Sequence, residues 1–268
     1  MQDKIIHKAG ELLSSGAVNV VIGYGQGTGE RVRAIFIQKP EDAGRLIFDD
    51  RCVQNLAVYL TKPEVRKLGK MSIVASLPVM RSIMMLISEE QITADDIVVL
   101  GISSENKLLD ISDITVMQGF IEKSDLGNPS KDKEILEKLD KLTPEEKFKW
   151  WQNELSKCIK CYACRQACPM CYCTRCFVEV NQPQWIPVQS NTYGNMEWHI
   201  LRAMHLAGRC ISCGECGRAC PVGIPCHLLT MHLVDQTHKY FNVYAGISDK
   251  MKSVLSVYEP GDKENFII

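Results

Sequence analysis

Two cysteine runs constrain this chain more than any other feature. Cys158, Cys161, Cys164 and Cys168 lead into Pro169, and Cys210, Cys213, Cys216 and Cys220 lead into Pro221. Both read Cys-x-x-Cys-x-x-Cys-x-x-x-Cys-Pro, and each cysteine of the second run lies 52 positions after its counterpart, so the motif is an internal repeat. Four thiolates at this spacing, closed by proline, form the bacterial-type ligand run for 4Fe–4S clusters, in which the fourth cysteine ligates the other cluster. The expectation is one cluster on Cys158, Cys161, Cys164 and Cys220, and a second on Cys210, Cys213, Cys216 and Cys168. The proline stops the chain from continuing as helix where it leaves the cluster. Zinc ribbons use paired knuckles without the third and fourth cysteines. A disulfide framework belongs to short chains that cannot build a core.

This chain can build one. It has 268 residues, 46% of them hydrophobic and 24% charged, the balance of a globular protein. A net charge of −1 implies no surface for nucleic acid. No apolar run reaches the ~18–20 residues of a membrane span, and the charged, amphipathic start MQDKIIHKAGELLSSG has no apolar signal core. Of 13 cysteines, 12 fall between Cys158 and Cys226, which points to metal ligation in a reducing cytoplasm. A cysteine-poor N-terminal part therefore precedes an iron–sulfur part.

In the N-terminal part, Ile5, Ile6, Ala9, Leu12 and Leu13 recur at helical spacing before Gly16. AVNVVIG (17–23) reads as a strand, followed by a glycine-rich loop over 23–29 and a second strand, RVRAIFI (31–37). MSIVA (71–75) and IVVLGI (97–102) read as buried strands, with helix over 52–60 and 79–89. Strands alternating with helices predict an α/β layer domain, a small mixed sheet with helices. Gly23, Gly25 and Gly27 are the candidate residues for a flavin or phosphate, but the loop lacks the third glycine of the dinucleotide fingerprint and precedes a strand, not a helix.

The succession of a helix, VIGYGQGTG, RVRAIF, KPED, Cys52, Asn55-Leu56, Tyr59-Leu60, MSIVA, Arg81 and IVVLGI resembles the N-terminal domain of a known family. These are the beta subunits of deazaflavin-coenzyme-reducing hydrogenases and related formate dehydrogenases. The resemblance implies a domain that binds FAD and carries a cluster, within complexes of anaerobic energy metabolism that include electron-bifurcating ones. Two segments depart from it. Ala75-Ser76-Leu77-Pro78 replaces a Lys-Gly-Cys-Asp-like segment, and Gly101-Ile102-Ser103-Ser104 replaces a Gly-Ile/Val-Pro-Cys segment. Without those cysteines, the resemblance implies an inherited scaffold more than an inherited active site, and FAD is disfavoured.

Gly127-Asn128-Pro129 breaks the chain, and Thr143-Pro144-Glu145-Glu146 is a helix start that delivers Cys158 behind Phe148, Trp151 and Leu155. Between the repeats, Cys171, Cys173 and Cys176, with Cys226 or else Cys52, form a candidate third site for zinc or another iron–sulfur cluster. MEWHILRAMHLAG reads as a helix whose His199 and His205 face the surface or a partner, and Arg165, Arg175, Arg209 and Arg218 flank the ligand loops. The terminus YEPGDKENFII is expected to strap across a neighbour.

The expected organisation is an α/β domain over 1–127, a linker and capped helix over 128–157, an α-rich two-cluster ferredoxin-like domain over 158–230, and a helix and tail over 231–268. No acid–base or nucleophile constellation is evident. The chain reads as an iron–sulfur electron-transfer subunit of a cytoplasmic oxidoreductase complex, with ferredoxin and flavin- or NAD(P)H-linked subunits as partners. The alternative is a catalytic FAD-binding beta subunit that passes hydride to a deazaflavin coenzyme or NAD(P).

Overall fold

The structure, a computed structural model, describes residues 1–255 apart from Ser104, Asn106, Ser112, Phe177, residues 179–181, Gln184 and Lys252. The expected terminal strap lies outside the described residues. Helix α1 (Gln2–Ser14) buries Ile5 and Ala9 and packs on the 3-10 turn Pro40–Arg45. Strand β1 (Val20–Gln26) pairs antiparallel with β2 (Val32–Ile37) and β3 (Leu46–Ile47). The short helix α2 (Pro63–Arg66) leads to β4 (Met71–Ala75), which lies parallel to β1. After helix α3 (Leu77–Ser88), β5 (Ile97–Ile102) adds parallel to β4, and β6 (Leu108–Ile111) closes the edge antiparallel. The sheet order is β2-β1-β4-β5-β6, a mixed sheet with helices. All five residues of β4 are buried, as a strand covered on both faces requires.

The expected glycine loop is corrected. Strand β1 continues through Gln26, so Gly23 and Gly25 lie inside the ladder, opposite Ile35 and Arg33. A Cβ on Gly23 would stand 2.4 Å from Leu46 Cδ2, and one on Gly25 would stand 2.7 Å from Ile35. Gly27 closes the hairpin tip by donating its N–H to Arg31 O at 2.7 Å. These glycines admit neighbouring side chains and a tight turn rather than forming an open loop. The helix expected over 52–60 is a shorter 3-10 turn, Leu56–Tyr59, capped by Asn55.

Helices dominate the rest. Helix α4 (Ile114–Glu122) covers α3, and α5 (Ser130–Asp140) precedes α6 (Pro144–Ser156). Thr143 Oγ1 accepts from Glu146 N–H at 3.2 Å, and Glu146 Oε2 accepts from Thr143 N–H at 2.9 Å, the full capping box. The one-turn helix α7 (Ala163–Gln166), α8 (Thr192–His205), the one-turn helix α9 (Glu215–Arg218) and α10 (His227–Phe241) follow. Helix α8 packs on both α6 and α10.

The two parts share packed surface. Cys168, Cys171, Cys210 and Cys213 rest against the core of the sheet, whereas Cys158, Cys176 and Cys220 rest against a second core that contains Cys164, Cys216, Leu155 and Trp198. Arg81 of α3, 3% exposed, donates to Ala245 O at 2.9 Å and Ile211 O at 3.2 Å. At the end of the same helix, the Arg209 guanidinium grips Glu89.

Candidate metal centre

The 52-residue repeat is also a repeat of backbone. Helices α7 and α9 occupy corresponding positions. Lys160 (φ 51°) and Tyr162 (φ 58°) in the first run match Ser212 (φ 58°) and Gly214 (φ 74°) in the second. Left-handed backbone at three non-glycine residues is costly and is retained where a site demands it. Here it turns amides onto sulfur. Lys160 N–H points at Cys158 Sγ at 3.3 Å and Ser212 N–H at Cys210 Sγ at 3.4 Å, while Ile224 N–H reaches Cys220 Sγ at 3.3 Å. N–H groups aimed at sulfur favour the thiolate that binds metal.

The fourth cysteine of the second run, Cys220, lies beside the first three of the first run. Cys158, Cys161, Cys164 and Cys220 line one cavity, together with Trp198, His199 and Cys226. Cys216 raises the proton affinity of Cys210, both raise that of Cys213, and Cys213 raises that of Cys168, so this second set is also gathered. Burial pushes the Cys213 thiol up to about 12 and raises Cys210 as well, the state expected where only a cation or metal would hold the thiolate. Among the described residues no three ligand-type side chains converge on a single ion. A cubane instead spreads four thiolates over four irons.

The candidate trio separates. Cys171 hydrogen-bonds with Cys168 and lies with the second quartet, Cys173 is exposed, and Cys176 packs on the second core. Cys226 bridges Cys164 and Cys216, and its Sγ donates to Cys216 O at 3.2 Å. Cys226 keeps its proton while Cys164 and Cys216 are held low by its hydrogen bonds. Cys52 sits in its own turn, where Sγ accepts from Asp49 N–H at 3.4 Å.

The flanking arginines mostly hold the loops. Arg165 donates to Cys173 O at 2.7 Å and Arg218 to Cys213 O at 2.6 Å. Sequence reasoning missed Arg202 of α8, 4% exposed, whose Nη2 donates to Cys164 O at 3.0 Å. Burial disfavours its charge. The thiolates of Cys171, Cys168, Cys216 and Cys164 outweigh that penalty and lift its proton affinity well above the usual arginine value. His199, expected at the surface, is 4% exposed, and burial depresses its pKa to about 4. Buried Trp198 Nε1, His199 Nε2 and Arg202 Nε have no partner in the protein. Unpaired donors beside two cysteine quartets fit an acceptor such as cluster sulfur.

Comparison with known proteins agrees with this geometry. The family model described as "4Fe-4S dicluster domain" matches residues 154–224, so the α/β part is followed by an iron–sulfur domain of that class. The chain is similar to the F420-dependent formate dehydrogenase subunit beta of Methanocaldococcus jannaschii, 33% identical over 97 residues that make up 34% of this chain and 24% of that protein. It is also similar to the F420-dependent formate dehydrogenase 1 subunit beta of Methanococcus maripaludis, 29% identical over 114 residues, 41% of this chain and 29% of that protein. The chain thus spans about a quarter of the length of the curated relatives it matches. Among the described residues no helix is long and apolar enough to cross a membrane.

Proposed function

We propose that this chain is an iron–sulfur relay within an oxidoreductase complex. It holds one 4Fe–4S cluster on Cys158, Cys161, Cys164 and Cys220 and a second on Cys210, Cys213, Cys216 and Cys168. Bound clusters supply one-electron exchange. The chain's own residues set the order of the path. The second quartet abuts the sheet core through Cys168, Cys210 and Cys213, while the first opens to the surface at Cys161 between exposed Ile159 and Val222. That gradient from interior to surface is the observation that carries the reading. A redox partner subunit docks at the Cys161 end, and ferredoxin and flavin- or NAD(P)H-linked subunits are the donors and acceptors that fit.

The relatives' names favour a second reading, in which the α/β part is a catalytic flavin domain. Glycines 23 and 25, closed off within β1, weigh against their share in such a site. Stoichiometric flavin retained through gel filtration would establish this reading over the relay.

The relay is tested by EPR on the anaerobic, reduced protein. Two interacting 4Fe–4S signals are expected. Cys220→Ser alters the signal of the first cluster and leaves the second in place, because Cys220 belongs to the first quartet despite its position in the second run. A variant that alters only the second, or a wild-type protein with a single centre, contradicts the reading.

A further inference from the structure

Helix α8 presents a buried polar stripe. Asn195, Trp198, His199 and Arg202 follow the i, i+3, i+4, i+7 spacing of one helical face, and they are 0%, 3%, 4% and 4% exposed. A face that deep is ordinarily apolar. Each of the four also has one buried atom without a partner: Asn195 Oδ1, Trp198 Nε1, His199 Nε2 and Arg202 Nε. They account for four of the seven such atoms among the described residues. Trp198 Nε1, Arg202 Nε and the Nε2–H tautomer of His199 are donors, so three on one stripe mark a face built against an acceptor, whereas Asn195 Oδ1 is itself an acceptor and does not share that partner.

The stripe's position identifies that surface. Trp198 and His199 line the cavity of Cys158, Cys161, Cys164 and Cys220, and Asn195 Nδ2 donates to Cys158 O at 2.8 Å. One turn on, Arg202 donates to the Cys164 carbonyl, and its charge faces Cys171 first and then sulfurs of both quartets, Cys168 and Cys216 in the second and Cys164 in the first. The second quartet meets another buried cation, Arg81, beside Cys210 and Cys213.

Resting on the two-cluster reading, we infer that α8 sets the reduction potentials of the relay. His199 and Trp198 act on the first cluster alone through N–H···S bonds, and Arg202 is a positive charge shared by both clusters. Reduction adds a negative charge to the cluster, so donors and cations stabilise the reduced form and raise its potential. These are positioning residues, since they touch no substrate and act on the clusters' energy. Their arrangement gives the two midpoints separate controls.

The test is an EPR-monitored redox titration of the full chain, loaded anaerobically, with iron and sulfide measured on each sample. His199→Leu is expected to lower one of the two midpoints. Arg202→Met is expected to lower both, by roughly tenfold in the one-electron equilibrium, about 59 mV. Arg202→Lys, which keeps the charge, restores most of that shift. Loaded variants with unshifted midpoints overturn this inference and leave the two-cluster reading standing. A wild-type chain that holds fewer than two clusters overturns that reading, and this inference with it. Should Arg202→Met fail to load, His199→Leu decides: a shift of one midpoint supports the proposal, and a shift of neither or of both equally overturns it.

Discussion

Arg81 shows how one side chain can join distant parts of a chain. It leaves α3 inside the α/β part and satisfies the carbonyls of Ala245 and Ile211, the latter one residue past Cys210. Burial pulls its pKa down to about 10, so it is still charged at neutral pH. Arg81→Met would fill the volume but leave two buried carbonyls unpaired. Hydrogen bonds to charged groups are worth about 1.5–3 kcal/mol each, so a loss of about 3 kcal/mol is expected in anaerobic urea unfolding. An unchanged midpoint would show that the guanidinium adds nothing to that junction. The sequence carried only part of this, since Arg81 stood out through a family resemblance while nothing nearby in the chain announced its partners. Arg202 and His199 were less legible still. Cations and imidazoles on a helix are usually solvated, and only the i, i+3, i+4, i+7 spacing of Asn195, Trp198, His199 and Arg202 signalled a buried polar face.

At the scale of elements, local chemistry was the most readable. The capping box of α6 was visible in Thr143 and Glu146, and the structure contains both of its hydrogen bonds. Thr143→Ala is expected to cost about 1 kcal/mol, seen as a lower thermal midpoint with unchanged iron content, because the cap supports the helix that carries Leu155 under Cys158. A variant as stable as the parent would mean that packing alone holds α6. The strands β2, β4 and β5 were equally plain from their apolar runs. Strands β3 and β6 were not. Leu46-Ile47 is too short to show alternation, and Leu108–Ile111 forms an edge that only its partner β5 defines. The extension of β1 through Gly23 and Gly25 was hidden for a different reason. Glycine normally weakens a strand, and here the approach of Leu46 and Ile35 overrides that preference.

The whole molecule couples a mixed-sheet part to an iron–sulfur part through a small set of polar contacts and shared core. Glu89 at the end of α3 and Arg209 at the entry to the second cysteine run are the clearest of these, with side chains only 16% and 12% exposed. Arg209 also reaches Tyr172 Oη at 3.1 Å, beside Cys171. Glu89→Ala strands the guanidinium half-buried and is expected to cost about 2 kcal/mol, less than the ~3–5 kcal/mol of a fully buried pair. Proteolysis between the two parts, faster in the variant than in the parent, would report that loosening, and equal rates would count against it. The duplicated motif is the basis on which the cysteines are grouped into the two proposed quartets. It could not disclose that one quartet faces the sheet and the other the surface, because that depends on contacts between residues more than a hundred positions apart.

The claim that these quartets hold two cubanes and no flavin chemistry is most directly tested by iron, sulfide, zinc and flavin analysis of a single anaerobic sample. The account predicts about eight irons and eight sulfides per chain, as two 4Fe–4S clusters require, without stoichiometric flavin. About four irons, or one flavin bound per chain, would contradict it.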